Sequence, residues 1–188
     1  MVEGLYRVVE ITEWVGLPPH PEEDINEAAL RELRYRLEGL YDPDVGLIIA
    51  VLDAETISDG FIPPLPGDPR VYYQIRYKVL AFVPIMFEVV KGIVRDARQP
   101  GLFVSLGITD GFIHKSQIMD EPVEYLPDRR GFRGKETGRI VEVNDIVRAR
   151  IVQISKPRRA GMLRIGLTMR QPYLGKEEWI AKERAKAR

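Results

Sequence analysis

The side chains best suited to chemistry in this sequence fall in one stretch, GLFVSLGITDGFIHKSQI, Gly101 to Ile118. Successive side chains of a strand point to opposite faces, so Leu102, Val104 and Leu106 belong to one side and Phe103 and Ser105 to the other. After the turn Gly107-Ile108-Thr109-Asp110-Gly111 the alternation resumes, with Ile113 on the apolar side and Phe112 and His114 opposite. Two phenylalanines and a histidine on an open strand face can stack nucleic-acid bases. Arg148, Arg150 and Arg164, on later segments of strand character, and Lys156, in the turn between the last two strands, supply cations for phosphates. The predicted chemistry is therefore binding of a single strand. His114 beside Ser116 has a plainer alternative, a structural hydrogen bond, and Phe112 could instead cover the mouth of a barrel.

Other chemistries find little support. The sequence has no cysteine and only two histidines, His20 and His114. Disulfides, thiolate catalysis, cysteine-containing metal sites and a multi-histidine metal centre are thereby excluded. No Ser-His-acid set is evident, and no glycine-rich phosphate loop ends in Lys-Ser or Lys-Thr. The acidic residues of the first half are scattered along a helix and loops without a recognisable pair. No catalytic residue, metal or cofactor is predicted. No apolar run approaches the roughly 20 residues that cross a bilayer, and the acidic, strand-like start MVEGLYRVVEITEW lacks a signal-peptide layout. A soluble, cytoplasmic protein without membrane contact is expected.

Net charge is zero, with 28 basic and 28 acidic side chains, yet the signs are segregated. Up to Pro84 there are 7 basic and 15 acidic side chains; after it there are 21 and 13. Interspersed charge would be the ordinary soluble surface. Segregation instead suits a chain whose first half meets protein and whose second half meets a polyanion.

Several elements must position these groups. Leu5 to Pro19 is rich in β-branched and aromatic residues and stops at paired prolines, which predicts a strand entering a loop. Asp24 is a candidate N-cap with Glu27 as its capping-box partner, and Ala29, Leu30, Leu33, Leu37 and Leu40 follow at helical spacing before Gly39 helps end the helix. Val45 to Ile57 and Val71 to Ile85 are predicted long strands. Between them SDGFIPPLPGDP, Ser58 to Pro69, holds four prolines and two glycines and predicts a stiff, protruding tip. Its candidate docking residues are Gly60, Ile62, Pro63, Pro64, Leu65, Gly67 and Asp68. The alternative is a hairpin loop folded back on its own sheet.

From Met86 the pattern changes to short strands separated by turns. FEVVKGIVRDA, with Val89 and Val94, supplies the first; the opening stretch supplies the second and third; NDIVRARIVQIS and MLRIGLTMR supply the fourth and fifth. Five such strands predict an oligonucleotide-binding (OB) type barrel that offers strands two and three to its ligand. In the fourth, Val147, Ala149 and Ile151 alternate inward and Arg148 and Arg150 outward. Asp120 to Ile140, rich in arginine, is expected to be a loop with one helical turn. The Lys156, Arg158 and Arg159 cluster falls in the last turn. A charged helix from about Lys176, anchored by Trp179, ends the chain.

GLFVSLGITDGFIHKSQI, DIVRARIVQIS and LRIGLTMR resemble the S-one (S1) RNA-binding domain, through its G-x-F-V and G-[LF]-[IV]-H-x-S pattern. KETGRIVEVNDIVRARIVQIS and GLTMRQPYLGKEEWI, with YRVVEI, VGLIIAV and AFVPI in the first half, resemble the archaeal RNA polymerase E-prime family, counterpart of subunit seven of eukaryotic RNA polymerase II. The resemblance implies an α+β chain of two domains. The first, 1–84, would be a truncated ribonucleoprotein-like fold serving core docking and subunit pairing. The second, 85–188, would be the S1 barrel with its terminal helix. It further implies a non-catalytic stalk subunit that pairs with the small F subunit of the stalk, docks its tip loop on the polymerase core near the clamp, contacts nascent single-stranded RNA and works with initiation factors. The family's ligand positions fall on Phe103, His114 and Arg164. A usual aromatic falls on Pro100, and the tip is unusually proline-rich. A free S1 protein acting in translation or RNA decay is the competing expectation; a nuclease is a third.

Overall fold

The computed structural model describes residues 5–19, 23–64, 66–156 and 163–186. His20, Leu65, Arg158 and Arg159, singled out above, lie outside them. The chain divides into two compact units, Glu3–Val83 and Pro84–Arg188.

The first unit contains β1 (Tyr6–Leu17), α1 (Ile25–Leu37), β2 (Tyr41–Asp42), β3 (Gly46–Thr56) and β4 (Val71–Phe82). Its sheet is antiparallel in the order β1-β4-β3-β2. The helix begins where Asp24 caps it: the carboxylate accepts from the backbone N–H of Asn26 at 2.9 Å and of Glu27 at 3.2 Å. Ala28, Ala29 and Leu33 form the buried helix face, and they join Val15, Leu17, Ile48, Val51, Ile75 and Val79 of the sheet in one core. Leu40 departs from the expectation. The helix stops at Leu37 and Gly39 turns the chain with φ +84°, so Leu40 leaves the helical stripe and is exposed.

The second unit contains β5 (Val89–Arg98), β6 (Gly101–Ser105), β7 (Asp110–His114), β8 (Val123–Leu126), β9 (Gly131–Gly134), β10 (Ile140–Glu142), β11 (Ile146–Ser155), β12 (Arg164–Thr168), β13 (Gly175–Lys176) and α2 (Glu177–Lys186). Antiparallel pairs β5–β6, β6–β7, β11–β12 and β11–β5, with the parallel pair β7–β12, close a five-stranded barrel. Leu102, Val104, Ile113, Val147, Ala149, Ile151, Ile165 and Leu167 fill it, as the two-residue period requires. Gly111 lets the filling close up, because a Cβ there would stand 2.4 Å from Leu167 Cδ1.

Val89 and Val94 both lie on β5 as expected, Val94 in the inward row with Val90 and Gly92, and Val89 on the opposite side. One expectation for this unit is corrected. Asp120 to Ile140 is more than a loop: β8, β9 and β10 form a three-stranded antiparallel sheet, with a 3-10 turn at Pro127–Arg129. Phe132 is buried in it, its ring 5.3 Å from that of Tyr125, and Val141 is buried beside them. On α2, Ile180 is buried along with the expected anchor Trp179.

Candidate nucleic-acid interface

Pairing of β6 with β7 sets Phe103 directly opposite Phe112 and Gly101 opposite His114. The cross-strand register brings the Phe103 and Phe112 rings to 5.2 Å between centroids, tilted by 49°. His114 meets the Phe112 ring edge-on at 6.5 Å. Both phenylalanines are half-buried and His114 is exposed, so the row faces away from the filled barrel. The His114 Nδ1 lies 2.8 Å from the Ser116 hydroxyl and accepts from the Ser116 backbone N–H at 3.3 Å. That hydrogen bond fixes the ring and turns Nε2 away from it.

The Phe103 and Phe112 rings floor a groove of about 760 Å³, whose walls include Pro100, Gln153, Ser155, Arg164 and Gly166. Arg164 reaches it because β12 lies parallel to β7, with Gly166 opposite Phe112, while Ser155 of β11 pairs with Arg164. A groove with an aromatic floor, a guanidinium wall and polar side chains at its rim can stack bases and neutralise phosphate.

The structure brings Phe103, Phe112 and Arg164 together, with His114 at the end of the aromatic row. It does not bring His114, Arg148, Arg150 or Lys156 into the groove lining. Arg148 and Arg150 point outward as expected but lie on the half of β11 that faces β5, opposite Lys91 and Val89. At about 3.3 Å per residue, Arg150 is about 17 Å along the strand from Ser155. Its Nε is buried and has no hydrogen-bond partner among the described residues. Lys156 is exposed just past the end of β11.

Several residues of the site escaped the sequence reading. The guanidinium of Arg98 sits over the Phe103 ring at 5.5 Å. A second hollow of about 410 Å³ adjoins the groove, lined by Arg95, Asp96, Arg98, Phe103, Asp110 and Arg130. Asp96 accepts from Arg98 Nε at 2.8 Å and from Arg130 at 2.5 Å, and these guanidiniums, Arg98 first, hold its carboxyl below the usual range. Arg95 pairs with Asp110 at 3.2 Å. Outward alternation on β5 signals Arg95, but a bulge between Val94 and Asp96 breaks the count before Arg98.

At the tip of the first unit, Phe61 and Tyr72 exchange backbone hydrogen bonds of 2.8 Å, forming a bridge beyond the strands. Gly60, Ile62, Pro64 and Gly67 are exposed and Pro63 is half-buried. Asp68 stiffens the return. It accepts from Arg70 Nε at 2.8 Å and Nη2 at 2.9 Å, and from the Tyr72 hydroxyl at 2.8 Å. The Arg70 guanidinium above all holds the Asp68 carboxyl well below the usual carboxylate range. Phe61, also exposed, is the tip residue that proline and glycine counting overlooked.

Among the described residues no helix is long and apolar enough to cross a membrane, and no cluster of three or more His or acidic residues could hold a metal ion.

Fold and groove define a chain that joins an S1 barrel to a small α+β domain. The model of the S1 RNA binding domain matches residues 87–165. The model of the SHS2 domain found in the N terminus of Rpb7p/Rpc25p/MJ0397 matches residues 12–69. DNA-directed RNA polymerase subunit Rpo7 of Saccharolobus solfataricus is 36% identical over 177 residues, which cover 94% of this chain and 97% of that one. Subunit Rpo7 of Sulfolobus acidocaldarius is 34% identical over 97% of this chain and 99% of its own. The more distant DNA-directed RNA polymerase III subunit RPC8 of Saccharomyces cerevisiae is 27% identical over 78% of this chain and 71% of its own. The chain belongs to the Rpo7 family of DNA-directed RNA polymerase subunits. Its tail motifs and S1 pattern pointed to the same family.

Proposed function

We propose that this chain serves as the stalk subunit of a DNA-directed RNA polymerase. It pairs with the small F subunit of the stalk, docks its tip on the core near the clamp, and guides emerging single-stranded RNA through the barrel groove. Initiation factors act with it at promoter opening. The chain has no catalytic role of its own, and the chemistry remains with the core. Full-length similarity to Rpo7 subunits supports the polymerase assignment. The observation that carries the RNA reading is the Phe103–Phe112 pair flooring a groove walled by Arg164. The groove offers two half-buried rings, which suits weak, sequence-tolerant binding. The acidic first half favours protein contact and the basic second half favours RNA.

Copurification tests this reading. The tagged chain is expected to carry a second small subunit and core polymerase through salt washes, and the assembled pair to retain a single-stranded oligonucleotide with affinity that falls as salt rises. Recovery of the chain without polymerase would count against the assignment. Salt-independent retention of RNA would count against the groove.

A further inference from the structure

The aromatic groove ends beside a cluster of arginines that the barrel strands alone do not provide. Arg95 and Arg98 come from the end of β5, while Arg130 comes from the turn between β8 and β9, in the inserted sheet. The groove and the neighbouring hollow share Arg95, Phe103 and Asp110 in their linings, so the two form one continuous surface. We propose that a single-stranded RNA lying on Phe103 and Phe112 continues over this cluster, where Arg98 and Arg130 grip two successive backbone phosphates. The proposal rests on the RNA reading of the groove and extends it to the insertion.

Three features argue for a ligand rather than a structural knot. First, the side chains of Arg95, Arg98 and Arg130 are 71%, 69% and 59% exposed, although each has an ion-pair partner. Exposed pairs of this kind contribute little to stability, and a guanidinium with five N–H donors can bond a phosphate while it stays on its carboxylate. Second, three guanidiniums face two carboxylates, Asp96 and Asp110, which leaves an excess of positive charge. Third, Asp96 is the common anchor. It is mostly buried, accepts from the Ala97 backbone N–H at 2.9 Å, and presents Arg98 and Arg130 side by side. Two guanidiniums oriented before binding lose less freedom when they meet a phosphate. Arg130 itself sits in left-handed backbone, φ +48°, which turns the chain so that its side chain reaches Asp96 across from the inserted sheet.

The test uses the full chain and two oligouridylates, one of about 4 nucleotides, which occupies the aromatic groove, and one of about 12, which reaches the cluster. Arg130→Gln, at a residue outside the lining of the aromatic groove, should bind the short strand as the parent does. For the long strand, Arg98→Gln with Arg130→Gln should make the slope of log affinity against log salt shallower by about 1.4, since each single-strand phosphate contact contributes about 0.7. Each single substitution should give about half that change, which guards against a folding defect in the pair. An unchanged slope for the long strand, with the short strand still bound, overturns the extension and leaves the groove intact. An unchanged slope accompanied by weaker attachment to core polymerase also overturns it and assigns the cluster to an acidic protein surface. If the parent chain retains neither strand, the groove reading fails and the extension with it.

Discussion

Replacing both Phe61 and Ile62 with alanine tests the tip as a docking plug. Their side chains are 54% and 68% exposed, so each has more than half its surface left to bury against a partner. Fully burying a side chain of this size is worth about 1.5–3 kcal/mol, so the exposed fractions correspond to about 1–1.5 kcal/mol each. Together they give about 2–3 kcal/mol, a loss of about 30- to 150-fold in affinity for the core. The isolated chain should barely change. The Phe61–Tyr72 bridge is made by backbone atoms, which truncation leaves in place. An exposed change stays within about 0.5 kcal/mol, or about 1–2 °C in Tm for a chain of this size. The assay is titration of labelled chain, with its small stalk partner, against polymerase lacking it, paired with a thermal melt. Unchanged core affinity would refute the plug. So would a fall in Tm of many degrees, since the two side chains would then be packing within their own domain.

Phe103→Leu keeps an apolar side chain but removes the stacking surface. Stacking on one ring is worth about 1–3 kcal/mol, and Arg98 above and Phe112 beside this ring place it at the low end, about 1 kcal/mol or about 5-fold in Kd for oligouridylate; equal affinity would show that no base rests there. Asp68 supplies a pH prediction. Its folded pKa is depressed by Arg70, so its contribution to the tip is complete above the ordinary carboxylate value of about 4 and is lost only as pH falls through the lower folded value. The Asp68 carboxyl carbon shift in NMR should stay flat through that ordinary value in the parent chain and begin to titrate nearer it in Arg70→Gln; an ordinary midpoint in the parent would contradict the Asp68–Arg70 geometry.

Much of the barrel was legible because a filled barrel imposes a strict period of two. Leu102, Val104 and Ile113 had to share one face, which left Phe103, Phe112 and His114 on the other. The inserted sheet was not legible for the converse reason. The strands β8, β9 and β10 are three or four residues long, and the small core they share holds Phe132 and Val141, with Tyr125 partly covered. Too few apolar residues recur for any period to emerge among the arginines. The rest of the miss came from bulges. The register shift between Val94 and Asp96 hides Arg98 from a simple count, and the shift between Ile151 and Gln153 interrupts alternation before Gln153 and Ser155. The Phe61–Tyr72 bridge joins residues on either side of the proline run, so local pattern gives no sign of it.

The two bulges also explain the shape of the groove. One interrupts β5, which flanks β6; the other interrupts β11, which flanks β12. A bulge bends its strand and re-aims the side chains that follow. Asp96 and Arg98 follow the first, Gln153 and Ser155 follow the second, and they stand on the two sides of the Phe103–Phe112 floor. A barrel with uninterrupted strands would present a flatter aromatic face. The floor nevertheless offers only two partly covered rings, so affinity for free RNA should be low. Under the proposed function, attachment through the tip would alter what that low affinity means. A strand emerging beside a docked chain would meet the groove as an intramolecular partner, at an effective concentration of about millimolar for short tethers. Contacts that hold free RNA only weakly would then be occupied where the strand emerges, and the groove would release each nucleotide as the next one arrives.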